Sequence, residues 1–216
     1  MKTLQALYRK EGARLWRTLL AFTGDREVAN DSIVEAFAQA RGRKIRRPSR
    51  WVWRTSFRIA AHQMGARARY AGRDPPEGFD AFLDREGLRD PSGLLLMGLR
   101  RLAPKQRAAL VLRYHADLGI ISVARIADAS TAILPLRLAW GRWRLRRLLR
   151  ESNRRPRERF ATLDRVPAPD LWPEVERRDP ADLSLGFPWA RFGMAVLVLV
   201  LAAAAVAFAW ALAGRP

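Results

Sequence analysis

Apolar residues recur at helical spacing through most of the chain, and no stretch shows the strict alternation of a half-buried strand. The spacing predicts a first helix over residues 3–22. Asp25 is placed to cap a second helix that ends near Ala40. A third helix is predicted over residues 50–69, with Ser49 as its cap. The pattern therefore predicts an all-α fold.

Changes in composition divide the chain into segments. Residues 70–93 are rich in Gly, Pro and Asp, which predicts a linker between an N-terminal helical block (residues 1–69) and a second helical block (residues 94–151). Residues 152–190 contain six prolines and are predicted to form a flexible tether. Two small helical domains are therefore expected ahead of the last segment.

The last segment has the character of a membrane span. Residues 192–213 are 22 residues without a charge, which as a helix is roughly 33 Å long, against about 30 Å of hydrocarbon core. A single transmembrane helix is predicted within residues 191–214. Because basic residues precede it, Arg191 among them, the blocks ahead of it are expected in the cytoplasm. The predicted location is the inner (plasma) membrane.

The charge of the chain indicates a polyanionic partner. There are 40 Lys and Arg against 21 Asp and Glu. Residues 41–73 contain no acid, and residues 137–150 form a second acid-free basic run. Two such runs favour nucleic acid or anionic lipid as the partner. With no cysteine, two histidines and no set of nucleophile, base and orienting group, neither a metal, a cofactor nor an enzyme is predicted.

The second block contains a helix-turn-helix pattern. Pro104 begins one helix, a short helix follows the turn at 116–119, and Ser130 is placed to cap the last helix from Thr131. In such motifs the second helix of the pair lies in the major groove. An ordinary three-helix bundle with a basic surface is the alternative. The candidate DNA contacts are Ser130, Thr131, Arg137, Arg142 and Arg144.

Two surfaces of opposite charge are predicted in the N-terminal block. Glu27, Asp31 and Glu35 stand four residues apart, which places an acidic stripe on one face of the second helix. DNA would repel this stripe, so a basic protein partner is favoured over a merely solvated face.

The third helix interleaves aromatic and basic residues. The aromatic residues are Trp51, Trp53 and Phe57, and the arginines are Arg50, Arg54 and Arg58. This composition suits single-stranded nucleic acid, whose bases stack on rings while arginines hold phosphates. The alternative is that Trp53 and Phe57, four residues apart, form a core pair.

These segments resemble a known family. The stretches TGDREVANDSIVEAF and RRPSRWVWRTSFRIAA resemble region two of the extracytoplasmic-function (ECF) sigma factors, and LLLMGLRRLAPKQRAALVLRYHADL with the helix-turn-helix resembles region four. The resemblance covers about residues 4–150. It implies a bacterial transcription-initiation subunit that binds core RNA polymerase and promoter DNA, here tethered to a membrane. It also leaves room for an anti-sigma protein as a partner.

The resemblance implies roles for particular residues. Asp31, Glu35 and Phe37 match the segment that docks on polymerase, and the helix from Thr131 matches the reader of the minus-thirty-five element. The residues that match the part capturing and melting the minus-ten element are Arg43, Lys44, Arg46, Arg47, Arg50, Trp51, Trp53, Arg54, Phe57 and Arg58.

The chain departs from the family pattern in ways that favour alternatives. Val34 replaces a usual Gln, Asp128 replaces a usual turn Gly, and Pro135 is expected about five residues into the recognition helix, where proline is disruptive. Val34 and Pro135 favour a membrane-anchored helix-turn-helix regulator that has lost polymerase binding. A third class is a membrane-surface protein whose arginines bind anionic lipid.

Overall fold

A computed structural model of the chain describes residues 2–41, 43–70, 91–149 and 155–179. These residues form α-helices, one short 3-10 helix and no strand. The all-α prediction is therefore confirmed for the described part of the chain.

The N-terminal block folds as three helices around a common core. They are α1 (Lys2–Thr23), α2 (Arg26–Ala40) and α3 (Pro48–Tyr70). Trp16, Ile33 and Phe37 are among its fully buried side chains. Each predicted helix of this block is present, with ends within two residues of the expected ones.

The corner between α1 and α2 is set by two residues. Gly24 has a φ of 68°, in the left-handed region that favours glycine. A Cβ there would also lie 2.7 Å from Cγ of Arg100. Asp25 then accepts a hydrogen bond from the N–H of Val28 at 3.1 Å, which satisfies an otherwise unpaired donor of the first turn. The predicted cap is confirmed.

The second block contains four helices. They are α4 (Pro91–Arg100), α5 (Pro104–Tyr114), α6 (Ile120–Ile126) and α7 (Leu134–Leu149). Since α4 begins at Pro91, the last residues of the predicted linker are helical, and most of that linker lies outside the described residues. Gly141 allows α7 to approach α5 closely, because a Cβ there would lie 3.1 Å from Leu110.

The expected disruption of the last helix by proline is wrong. Helix α7 begins at Leu134, so Pro135 lies in its first turn, where a missing N–H is tolerated. Ser130 is not the predicted cap, because α7 begins four residues later than Ser130 and not at Thr131. Ser130 instead begins the turn before the helix, where its carbonyl accepts from the N–H of Leu134 at 3.1 Å and its hydroxyl accepts from the N–H of Ala132 at 3.3 Å. Asp128 takes the left-handed conformation, with φ of 48°.

The predicted flexible tether is wrong over residues 155–179, which we call the C-terminal strap. The strap forms α8 (Pro156–Ala161), a 3-10 helix (Thr162–Arg165) and α9 (Trp172–Arg177). Its prolines Pro156 and Pro173 stand in first turns, where they favour a helix start. Six of its apolar side chains are buried: Phe160, Leu163, Val166, Leu171, Trp172 and Val175.

The strap packs against both blocks. Helix α8 and the 3-10 helix contact α4, and α9 contacts α2. The ring of Tyr8 in α1 lies 5.4 Å from that of Trp172, and its hydroxyl accepts the N–H of Leu171 at 2.6 Å. Helix α1 also contacts α4 and α5 directly. Residues of both blocks and the strap therefore form one compact unit, Met1–Pro180.

Replacing Trp172 with Ala should lower the free energy of unfolding by about 3–5 kcal/mol, because a buried ring leaves a cavity. Trp143→Ala is the matched control: this ring is 55% exposed, and its loss should change stability by less than about 0.5 kcal/mol. Urea unfolding followed by circular dichroism measures both. Equally small losses of stability in the two variants would mean that the strap does not pack against the helical blocks.

Candidate nucleic-acid and protein interfaces

The predicted acidic stripe lies on an outward face of α2. Glu27 and Asp31 are exposed, and Glu35 is half-buried. Glu35 accepts a hydrogen bond from the side-chain amide of Gln39 at 3.0 Å. The opposite side of α2 packs into the core, so the carboxylates project from a rigid helix. This face is able to bind a basic protein surface.

Phe37 does not belong to that face, and its predicted role as a polymerase contact is wrong. It is 0% exposed and makes edge contacts with Tyr8 at 5.3 Å and Trp172 at 6.5 Å between ring centroids. The reason is its register on α2, which turns this ring toward α1 and the strap. Val34 is also buried, at 2% exposure.

The loop between α2 and α3 presents a group of cations. Arg43, Lys44, Arg46 and Arg47 are exposed. Between them, Ile45 is partly buried against the core and anchors the loop. The loop is thus held at its centre while four positive charges face solvent, an arrangement suited to a phosphate backbone.

The outer face of α3 continues this basic surface. Arg54 is exposed, and Arg50, Trp51 and Arg58 are half-buried. Partial burial, and secondarily the charge of Arg54, lower the pKa of Arg58. A bound anion would relieve this repulsion between the two guanidinium groups. Trp51 packs partly against the core and remains partly exposed beside these arginines.

Trp53 and Phe57 point inward, so their predicted stacking on bases is wrong and the alternative, a core pair, is confirmed. Each is 3% exposed, and their rings stack at 6.3 Å. The indole N–H of Trp53 donates to Glu11 at 2.8 Å, and the Ser49 hydroxyl donates to the same oxygen at 2.8 Å. Because α3 begins at Pro48, Ser49 is its second residue and not the predicted cap, and its hydroxyl ties α3 to α1.

The predicted helix-turn-helix contacts lie on or beside the outer side of α7. Exposed residues among them are Ser130, Thr131, Arg142 and Arg144, and Arg137 is half-buried. The same helix also exposes large apolar side chains, Leu136, Trp140 and Trp143 among them. Its surface is therefore both cationic and apolar.

A buried arginine that the sequence pattern does not single out joins the two blocks. Arg107 is 7% exposed. It donates to the carbonyl of Phe22 at 2.8 Å and to those of Arg100 at 2.8 Å and Leu102 at 3.1 Å. These carbonyls stand at or just beyond the C-terminal ends of α1 and α4, where a cation is favoured. Burial, and then Arg100, lower its pKa to about 10, so it remains charged at neutral pH.

The strap also engages the first arginine of the basic loop. Arg41 donates from one nitrogen to three carbonyls, those of Val175 at 2.6 Å, Glu176 at 2.9 Å and Arg178 at 3.1 Å. These lie at the C-terminal end of α9. The strap therefore holds the edge of the candidate nucleic-acid surface in place.

His115 lies where α1, the second block and the strap meet. Its Nδ1 is 2.7 Å from the hydroxyl of Thr18 in α1, and its Nε2 is 3.3 Å from Asp164 of the strap. Burial lowers the pKa of His115, while the Asp164 carboxylate opposes that effect. The imidazole is thus a titratable group inside the junction.

The folded protein should lose stability as pH falls below about 6.5, the pKa of an unfolded histidine. Because the folded-state pKa of His115 is lower, the unfolded chain binds the proton more readily in that window. Urea unfolding at pH 7.5 and 5.5 measures this fall, and His115→Gln should reduce it. His62→Gln, at an exposed position, should leave it unchanged. If His115→Gln lost as much stability between pH 7.5 and 5.5 as the wild type, His115 would not be the cause of the pH dependence.

Comparison with known proteins assigns no family to these surfaces. No protein-family model matches the chain, and no curated protein matches it. The functional conclusion therefore depends on the residues and their geometry.

Within the described residues, no helix is both long enough and apolar enough to cross a membrane. The segment predicted to do so, residues 192–213, lies outside the described residues. Its membrane role stays a prediction.

Proposed function

We propose that this protein is an ECF-type sigma factor held at the membrane, which binds core RNA polymerase and promoter DNA to start transcription. One observation carries the proposal: a single three-helix block presents an acidic face on α2 and a basic surface on the following loop and α3. Its sequence resembles region two of those factors over the same helices.

The two faces call for different partners. A nucleic acid that contacts Arg43, Lys44 and Arg54 would be repelled by Asp31 and Glu35, so these carboxylates serve a protein partner. A basic protein on α2 would in turn leave the cationic surface free for DNA. A factor that binds polymerase and promoter at once needs this separation.

Promoter opening follows from the basic surface without covalent chemistry. Unpairing and unstacking bases costs a few kcal/mol. Phosphate contacts from the loop and α3 offset that cost, and stacking is worth about 1–3 kcal/mol per base where a ring is accessible. With Trp53 and Phe57 in the core, Trp51 is the ring of this group that remains for stacking.

Binding two promoter elements requires the compact unit to open. The minus-ten and minus-thirty-five elements are roughly 85 Å apart along straight duplex, at about 3.4 Å per base pair. A compact unit of this length has a radius of gyration of only about 16 Å. The blocks therefore separate at the Arg107 junction when both elements are engaged.

A second candidate is a membrane-anchored helix-turn-helix regulator that does not bind polymerase. The burial of Val34 and Phe37 favours it, since these side chains are withdrawn from the docking face. Pro135 no longer favours it, because α7 is continuous from Leu134 onward. In-vitro transcription with core polymerase on genomic fragments separates the two: only a sigma factor yields transcripts.

Asp31→Lys with Glu35→Lys should abolish co-purification with core polymerase, because the change reverses the charge of the docking face. The fold should persist, since Asp31 is exposed and Glu35 is only half-buried. Glu158→Lys with Glu174→Lys makes the same charge change at exposed positions on the strap and should bind normally. Full retention of polymerase by the α2 double variant would contradict the docking role.

Arg54→Ala should reduce promoter opening more than closed-duplex binding, because Arg54 contacts the exposed strand in this proposal. Permanganate reactivity of unpaired thymines reports opening, and a gel shift reports duplex binding. Arg9→Ala removes an equal charge from an exposed position on α1 and serves as the control. If Arg54→Ala opened the promoter as well as the wild type, α3 would have a packing role only.

The chain should remain in membranes at high salt, because the predicted apolar segment does not depend on charge. A reporter active only outside the cytoplasm should work when fused after Pro216 and be silent when fused at Met1. The reverse pattern would place both blocks on the wrong side of the membrane for transcription.

A further inference from the structure

The outward face of α7 carries an apolar row that the core does not use. Ile133, at the start of the helix, Leu136, Trp140 and Trp143 follow one another at spacings of three, four and three residues, so they share one face. Their exposed fractions are 48%, 62%, 57% and 55%. The opposite side of α7, at Leu138 for example, is buried. We call these four residues the apolar row.

The two tryptophans of the row lie against each other, and a cation lies over one of them. Their ring centroids are 5.8 Å apart in an edge-to-face arrangement. The guanidinium of Arg147, one helical turn after Trp143, lies 5.8 Å from the Trp143 ring. The rings thus form a continuous apolar surface with a positive charge at its end.

Arginines lie on both sides of the apolar row. On α7 they are Arg137, Arg142, Arg144, Arg146 and Arg147, and the helix contains no acidic residue. By helical position, Arg137 and Arg144 flank one side of the row, and Arg142 and Arg146 the other. A partner for this face must therefore be anionic and must also offer an apolar layer.

An anionic bilayer surface meets both requirements. Lipid phosphates pair with the arginines, and tryptophan prefers the boundary between headgroups and acyl chains. Duplex DNA satisfies the arginines but leaves most of the apolar row in water. A second copy of this helix would bring five more arginines against these five, so charge repulsion disfavours self-association.

We propose that the outward face of α7 binds anionic phospholipid, with the helix lying in the plane of the membrane and the apolar row inserted at the headgroup boundary. Lipid binding by this face does not depend on the proposed binding of polymerase. Because the same arginines are the candidate duplex contacts, lipid and duplex DNA would occupy α7 in turn, not together.

Vesicle sedimentation of residues 1–180 tests the proposal apart from the predicted membrane segment. This fragment holds the compact unit with its entire described core, and circular dichroism checks its fold. It should bind vesicles of 70% phosphatidylcholine and 30% phosphatidylglycerol and bind pure phosphatidylcholine weakly. Trp140→Ala with Trp143→Ala should weaken binding about tenfold or more, through loss of inserted apolar area.

Matched variants separate this face from general charge. Arg142→Gln with Arg144→Gln should weaken binding to the anionic vesicles about 30-fold. Arg9→Gln with Arg101→Gln removes the same charge from exposed positions on and just beyond other helices and should have a much smaller effect. Ile121→Ala, at a residue 61% exposed on α6, controls for the loss of an exposed apolar side chain and should bind normally.

The full chain provides a positional test, because it contains no cysteine. A nitroxide on Leu136→Cys should be more accessible to oxygen than to a water-soluble nickel reagent in bilayer discs that contain phosphatidylglycerol. The same label on Ala13→Cys, at an exposed position on α1, should report an aqueous environment.

Two results would overturn the proposal. The first is unchanged vesicle binding by the double tryptophan variant; if the same variant also loses binding to duplex DNA, α7 is a DNA surface. The second is that the wild-type fragment is a dimer in light scattering and the variant a monomer, which would assign the apolar row to a second copy.

Discussion

The arrangement of the two blocks depends on the buried guanidinium of Arg107. Besides the three bonds at 2.8–3.1 Å, it approaches a fourth carbonyl, that of Thr23, at 3.4 Å. Loss of this group would leave buried carbonyls unsatisfied, at about 1–3 kcal/mol each. Because those carbonyls end α1 and α4 while Arg107 belongs to α5, one side chain sets the relative position of three helices. The candidate surfaces on α2, α3 and α7 are positioned from this junction.

The strap likewise fixes the candidate surfaces through contacts between distant segments of the chain. Trp172 packs against Phe37, which points away from the acidic face of α2, while three carbonyls at the end of α9 hold Arg41 beside the basic loop. His115 and Asp164 tie the strap to the junction. Under the proposed function, the compact unit opens to reach two promoter elements, and that opening would have to release these contacts.

Aromatic residues show how packing divides roles among similar positions. Trp53 is held inside by Glu11, whereas Trp51, two residues earlier, is half-buried beside the arginines of α3. Trp172 is 8% exposed and Trp143 is 55% exposed, although both belong to arginine-rich segments. The inner rings stabilise the fold, and the outer ones are available to bases or lipid. The chemistry of the side chain alone does not distinguish the two groups.

Helix periodicity, the Asp25 cap and the acid-free runs follow from local sequence, because spacing and short-range hydrogen bonds determine them. The charge of the α2 and α3 surfaces was predictable for the same reason. The spacing of Trp53 and Phe57 allowed a core pair as well as stacking on bases, and the register of the neighbouring helices decided for the core. The strap was missed because its prolines indicate a tether, whereas in the fold Pro156 and Pro173 begin helices and nearby apolar residues find partners far away in the sequence. Nothing in the local sequence distinguishes Arg107 from the other arginines. Its role comes from the carbonyls at the ends of α1 and α4, which meet it only in the folded protein. Contacts between distant segments, which only the tertiary structure provides, decided these points.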